Sequence, residues 1–366
     1  MRKPMIFLLA SGCVVTPAWA QDSGQVAPVA ALAKTVPVKS DDGINEIVVT
    51  ATRSEAKLQD VGIAISAFTG RTLRDLAVTS TEELTAITPG LQLSLGGGSP
   101  IVGLLSIRGV SQNDFAGHIE APNAFYVDEV YQPSISTSVQ QLYDVQRVEV
   151  LKGPQGTLFG RNATGGLIHV ITAKPTDRFG GFVQGSYGNY DEVRIEGGMS
   201  VPLGTGVSGR ISFLRDKRQG FFANAVGPRV NEDNTVAGRA QLRVKPSSDF
   251  EVLLSADIYK ILPVHTGAAY ATAGVPDANG LGQPLPPGTP TGFGYVDADG
   301  NPFTGAFDDP GLLKRTQKDF SGRIKYDFGD VTVTSLTSYS TLFNNYREDN
   351  DLSPLPITVF YQRANA

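Results

Sequence analysis

After Pro175 the chain alternates with a period of two, and a polar/apolar period of two sustained over ten residues is the pattern of a half-buried β-strand. Between 192 and 201, Val193, Ile195, Gly197, Met199 and Val201 share one face, and Glu192, Arg194, Glu196, Gly198 and Ser200 share the other. The pattern recurs with Ala240, Leu242 and Val244 against Arg239, Gln241 and Arg243, and with Ile324, Tyr326 and Phe328 against Arg323, Lys325 and Asp327. It is also present in 250–258, where Phe250, Val252, Leu254, Ala256 and Ile258 alternate with Glu251, Leu253, Ser255 and Asp257. Aromatics such as Tyr187, Tyr190, Phe213, Tyr259 and Tyr339 lie towards the strand ends, and short turns at 202–205 and 246–249 contrast with a long Pro- and Gly-rich excursion over 261–315. These features predict antiparallel transmembrane β-barrel strands. A soluble β-sandwich would alternate in the same way and bury the apolar face instead.

The N-terminus sets the compartment. Arg2 and Lys3 precede an apolar run over 5–10 that extends through Val14 and Val15, and Ala18-Trp19-Ala20 is an A-x-A cleavage site, so residues 1–20 read as a secretory signal. The single cysteine, Cys13, lies inside it; reading Cys13 as a lipid-attachment site would leave an apolar stretch of only about six residues before it. Cleavage after Ala20 removes it and excludes disulfides, a thiol nucleophile and cysteine-held metals. Past the signal no run of 18 apolar residues occurs, so only a β-barrel could place this chain in a membrane. A net charge of −5 makes a poor nucleic-acid binder. Residues 21–57 read as an arm, aperiodic and rich in Ala, Pro, Val, Ser and Lys to Gly43. It carries the β-branched stretch Glu46-Ile47-Val48-Val49-Thr50-Ala51, suited either to adding a strand to a partner's sheet edge or to opening the next domain.

Residues 58–175 read as a compact α+β domain. Strands are expected over 61–68, 91–95, 104–110 and 124–131, with helices over 70–77 and 80–87. Ser80 and Glu83 have capping-box spacing, and Pro89-Gly90 stops the second helix. The stretch 147–175 reads strand, glycine-laced turn, strand: Arg147 and Glu149 alternate with Val148 and Val150, then Gly153, Pro154, Gly156, Gly160, Gly165 and Gly166 bend the chain. A phosphate cradle fails here, because Gly166 stands where a P-loop needs lysine and no Ser or Thr follows to hold magnesium. No cofactor is expected, and with only His118, His169 and His265 a histidine-based catalytic site has few candidates, so no enzyme is expected.

Together these segments resemble the TonB-dependent outer-membrane receptors of Gram-negative bacteria. Residues 45–51 look like that family's TonB box, and Ile107-Arg108-Gly109, Phe125-Tyr126-Val127-Asp128 and Arg147-Val148-Glu149-Val150 with Gly153-Pro154 and Gly160-Arg161 look like its plug motifs. Position 169 is His where the family usually has Asn, and Glu129 follows Asp128 where Gly is common. The resemblance implies a plug at 58–175 inside a 22-stranded barrel that begins at 176. It further implies binding of a scarce nutrient such as a ferric siderophore, and the TonB protein of the inner membrane as the partner that pulls on Glu46 to Ala51. Outer-membrane lipid is the expected surroundings and nucleic acid is excluded. Residues 176–366 are too few for 22 strands of about ten residues, and about seven are legible. The chain is therefore expected to be the N-terminal portion of such a receptor, with a remnant that cannot transport as the alternative; the coding sequence beyond Ala366 would separate the two.

Asp114, His118 and Glu120 are candidates to touch substrate from a plug loop over 111–122, which is otherwise a solvated loop. Charged pairs of Arg108 with Asp128, and of Arg147 or Arg161 with Glu149, are candidates for a lock or release switch, or for passive structure. A lone His169 inside a strand is read as a satisfied core histidine.

Overall fold

The glycines after residue 147 bend the chain through backbone that side chains rarely adopt. Gly153, Gly160 and Gly166 have φ of +105°, +78° and +147°, the region where only glycine is free of a Cβ clash. In the computed structural model, which describes residues 48–50, 53, 56–95, 102–112, 120–266, 275–276, 282–283, 301, 303–349, 354–357 and 359–365, this bend joins strands β8 (Val145–Lys152) and β9 (Gly166–Thr172) through a one-turn helix, α3 (Gly156–Phe159). The described residues belong to one unit, Glu46–Ala366; the other, Met1–Asn45, lies outside them. A Cβ on Gly166 would sit 2.2 Å from the Leu151 carbonyl oxygen, and one on Gly165 would sit 2.3 Å from Asn123 Oδ1. Gly156 has open space around it and a negative φ, so its glycine is not demanded by the fold. Gly166→Ala is expected to destabilise the domain by about 1–3 kcal/mol, and Gly156→Ala to leave its stability unchanged or raise it by up to about 1 kcal/mol, as measured by chemical denaturation.

Before the bend the chain runs through β1 (Val48–Val49), β2 (Ala56–Lys57), β3 (Ala64–Thr69), α1 (Gly70–Asp75), α2 (Leu84–Ile87), β4 (Leu91–Leu95), β5 (Gly103–Ile107), β6 (Asn123–Val127) and β7 (Val130–Tyr131). A five-stranded sheet has the order β3-β8-β9-β6-β7, antiparallel except where β6 meets β9; β4 pairs with β5 and β1 with β2. One face carries Val148, Val150, Ile168, Val170 and Phe125 into a core with Leu73, Leu84, Leu91 and Ile107. The opposite face packs Tyr126, Leu151 and Leu167 on Phe159, Ala163 and Val49.

The expected second helix shrinks to one turn at α2, although its capping box is present: Glu83 accepts from the Ser80 backbone N–H at 3.1 Å while Ser80 Oγ accepts from the Glu83 N–H at 3.4 Å. The expected strand 124–131 is two strands. Asp128 and Glu129 adopt φ of +48° and +70°, the two-residue hairpin conformation that explains why glycine suits position 129. Arg108 and Gly109 form a second such turn, with φ of +52° and +81°, closed by Ile107 and Val110 exchanging hydrogen bonds of 3.1 and 3.0 Å.

Beyond the plug-like domain run β10 (Gly180–Gly188), β11 (Glu192–Gly204), β12 (Val207–Arg218), β13 (Ala223–Asn224), β14 (Asp233–Val244), β15 (Phe250–Val264), β16 (Val275–Pro276), β17 (Gly282–Gln283), β18 (Thr304–Gly305), β19 (Leu312–Asp327), β20 (Thr332–Asp349) and β21 (Val359–Asn365). Eight of them form one antiparallel sheet in the order β10-β11-β12-β14-β15-β19-β20-β21, one strand more than the sequence made legible. The sheet is open: β10 and β21 do not pair among the described residues.

This wall is inside out relative to a soluble sheet. Arg194, Glu196, Ser200, Arg210, Ser212, Asp216, Arg239, Gln241, Arg315 and Gln317 are buried, while Val193, Ile195, Met199, Ile211, Leu254, Ile258, Phe320, Ile324 and Tyr339 are exposed. A β-sandwich would bury the second set; only a lipid solvent makes the observed arrangement favourable. Among the described residues no helix is long and apolar enough to cross a membrane.

Candidate functional site: a clamped strand and a plug held to the wall

Strand β1 is stowed rather than free. Val49 is fully buried among Leu151, Phe159 and Leu167, and the next residue, Thr50, is seized by Glu149: its backbone N–H donates to Glu149 Oε1 at 2.9 Å and its hydroxyl reaches Oε1 at 3.2 Å and Oε2 at 3.3 Å. Glu149 is wholly buried and takes its counter-charge from Arg147 two residues back on the same face of β8, with Nε to Oε1 at 2.7 Å. Arg147 Nη2 also donates to Thr50 Oγ1 at 3.3 Å. Period two in β8 is what brings Arg147 and Glu149 to one side. Arg53 tightens the same segment by donating to the Leu158 carbonyl at 3.2 Å with its guanidinium 4.5 Å from the Phe159 ring centre. Glu46, Ile47 and Ala51 lie outside the described residues.

His169 stands opposite Glu149 across the β8/β9 ladder. Burial pushes its imidazole down to about 3, so it is neutral near pH 7. Its Nε2 accepts the Glu129 amide at 3.0 Å, which leaves the proton on Nδ1, 4.0 Å from Glu149 Oε2 and without a hydrogen bond. The expectation of a satisfied core histidine therefore holds for one ring nitrogen only.

Asp128 does not pair with Arg108. It accepts the Thr172 N–H at 3.0 Å and the Thr172 hydroxyl, and it forms an ion pair with Lys174. Burial raises this carboxyl, but the Lys174 and Arg239 charges outweigh it and hold it at about 2. A carboxyl depressed below its unfolded value of about 3.9 stabilises the fold above that pH and loses the contribution as pH falls towards 2. Acid titration from pH 5 to 2 is expected to remove about 2 kcal/mol through this group, and Asp128→Asn is expected to flatten that part of the stability–pH curve. Arg161 likewise pairs not with Glu149 but with Glu120, at 2.9 Å, and Asn162 donates to the same carboxylate at 2.9 Å. Glu120 is thus engaged within the domain; Asp114 and His118 lie outside the described residues.

The contacts to the wall were not legible in the sequence. Asp144 receives Arg210 Nε at 2.7 Å together with Arg210 Nη2 and Ser212 Oγ, and Gly198 leaves the room, since a Cβ there would lie 2.7 Å from Arg210 Nη2. Arg194 donates to the Leu142 carbonyl at 2.7 Å and to Gln141 at 2.8 Å, Arg315 to the Val139 carbonyl at 3.1 Å, and Arg323 to Glu129 at 3.2 Å. The inward polar face of the wall is spent on the segment 139–144 and the hairpin at Asp128-Glu129.

The geometry is a sheet domain tied by polar pairs to the inner face of an apolar-outside wall, with an N-terminal strand clamped beneath it. Residues 57–167 match the family model of the TonB-dependent receptor plug domain. The chain carries a TonB-dependent receptor plug. It is 32% identical over 222 residues to the pesticin receptor of Yersinia pestis, covering 60% of this chain and 31% of that receptor. Its fold is shared with the ferric yersiniabactin uptake receptor of Y. pestis, with a TM-score of 0.64, 24% identity, and coverage of 78% of this chain and 42% of that one. It is shared too with the siderophore receptor PiuA of Acinetobacter baumannii, with a TM-score of 0.64, 18% identity, and coverage of 83% and 40%. The chain thus spans about a third of the length of the first and about two fifths of the other two. The wall around the plug shares its fold with part of these receptors, and among the described residues it is an open sheet.

Proposed function

We propose that this chain is the plug-bearing part of an outer-membrane receptor for TonB-dependent, energy-coupled uptake of a scarce nutrient such as a ferric siderophore, a reading supported by its likeness to a ferric yersiniabactin uptake receptor and to a siderophore receptor. The observation that carries it is the inside-out wall holding a plug through buried ion pairs. In this reading the plug spans 58–175, the arm 21–57 faces the periplasm behind a signal at 1–20, and TonB takes residues 46–51 by strand addition. Pulling on that strand first breaks the Thr50 contacts to Glu149, which transmits the load into β8 and its partner β9. Arg147 then loses part of its hydrogen bonding, and the sheet that blocks the barrel is loaded at an interior strand rather than at its edge.

The test is deletion of Glu46 to Ala51 in the intact receptor: uptake of labelled substrate is expected to be abolished while cell-surface binding is retained, and uptake that survives the deletion would sink the reading.

A further inference from the structure

A cavity whose lining includes none of the clamped strand is predominantly acidic. It encloses about 630 Å³ between the plug turn 79–83 and the wall, a volume in the range of small-molecule pockets. Its lining includes six carboxylates, Glu82 and Glu83 from the plug and Glu192, Asp216, Glu232 and Asp233 from the wall, against a single cation, Arg218, already paired with Asp233. Glu83 is occupied with the backbone N–H groups of Thr79 and Ser80 and Glu232 with His265. The side-chain carboxylates of Glu82 and Glu192 have neither an ion pair nor a hydrogen bond among the described residues. Two of the lining residues, each 4% exposed, also carry a buried side-chain acceptor without a hydrogen-bond partner: Asp216 Oδ1, whose other oxygen binds Arg194, and Thr266 Oγ1. Burial and the neighbouring Asp233 and Glu83 carboxylates push Glu82 up, as expected of a cavity with a negative potential.

The cavity lies at the end of the wall that carries the connections 189–191, 219–232 and 265–311, the last two of them long, and away from the turns at 205–206, 245–249 and 328–331, all of them short; in barrels of this kind the end with the longer loops is the outer one. The acids are spread over both plug and wall, and among the described residues no group of three could hold a metal ion. Tyr259 and Phe221 add aromatic faces to the lining, which suits an organic cation.

We infer that this cavity binds an organic polycation, so that the cargo carries ammonium or guanidinium groups on the part that enters first. The inference rests on the receptor reading for its orientation, but its test does not. Purified full chain in detergent would be dialysed against labelled spermidine at low salt, with citrate as an anion of similar size. Spermidine is expected to bind and citrate not to. The Glu82→Gln/Glu192→Gln variant, which touches no ion pair, is expected to bind spermidine about tenfold more weakly. Asp330→Asn, which removes one exposed charge in the short turn at the other end of the wall, is expected to bind as the parent does. Equal binding of citrate, unchanged binding in the double variant, or an equal loss in Asp330→Asn would each overturn the assignment, whatever the fate of the uptake experiment. Circular dichroism of each variant checks that the sheets are intact.

Discussion

Glu149→Ala is expected to cost the plug about 3–5 kcal/mol, because it strands the Arg147 guanidinium, whose side chain is 11% exposed, without its counter-charge. The same change removes the acceptor of the Thr50 N–H. Two readouts therefore move together: the urea midpoint of the plug falls, and amide exchange at Val49 and Thr50 accelerates under native conditions. Glu149→Gln keeps an acceptor but not the charge and is expected to lie between parent and alanine. If the alanine variant unfolded at the parental midpoint with unchanged exchange at Thr50, the clamp would have no energetic content. Replacing Arg147 as well separates pairing from burial. Arg147→Met/Glu149→Leu is expected to recover much of the lost stability, since apolar residues often replace a buried pair at little cost, while the exchange at Thr50 stays fast because no acceptor returns. That dissociation would show that the pair positions the strand rather than merely holding the domain together.

The second large effect is expected at the plug–wall junction. Asp144 and Arg210 have side chains 2% and 10% exposed, so Asp144→Asn, which leaves Arg210 facing a neutral amide in a closed space, is expected to destabilise the assembly by about 3 kcal/mol. Asparagine is the cleaner probe. Asp144 has a φ of +45°, a conformation Asn tolerates and Ala does not, and Asp144→Ala should cost roughly 1 kcal/mol more from backbone strain alone. Coupling between Asp144→Asn and Arg210→Lys in a double-mutant cycle reports the pair itself. A coupling near zero would mean that the wall holds the plug through its backbone acceptors at Leu142 and Val139 instead.

Much of this fold is written locally. Alternation over 192–201 and 250–258 predicts strands because side-chain direction in a strand depends only on neighbouring residues. The bends at Gly153, Gly160 and Gly166 are likewise visible, because a positive φ is a one-residue property that glycine alone meets cheaply. The candidate site was legible only as residue types. Arg147 and Glu149 share a face of β8 by period, so their pairing could be proposed from spacing; Asp128 with Arg108 and Arg161 with Glu149 could not be tested that way, and the fold pairs Asp128 with Lys174 and Arg161 with Glu120. Those partners are set by the β6/β9 register and by the loop before β6, neither of which is encoded in local pattern.

By itself, then, the sequence determined most of the wall strands, the glycine turns of the plug and the existence of two chemically distinct faces on the wall. The tertiary structure decided which face is inside. Alternation is symmetric between the two choices, and only the plug, whose Asp144, Leu142 and Val139 need the wall's arginines, breaks the symmetry by satisfying Arg194, Arg210 and Arg315 on the inner side and leaving Val193, Ile195 and Ile211 to the lipid.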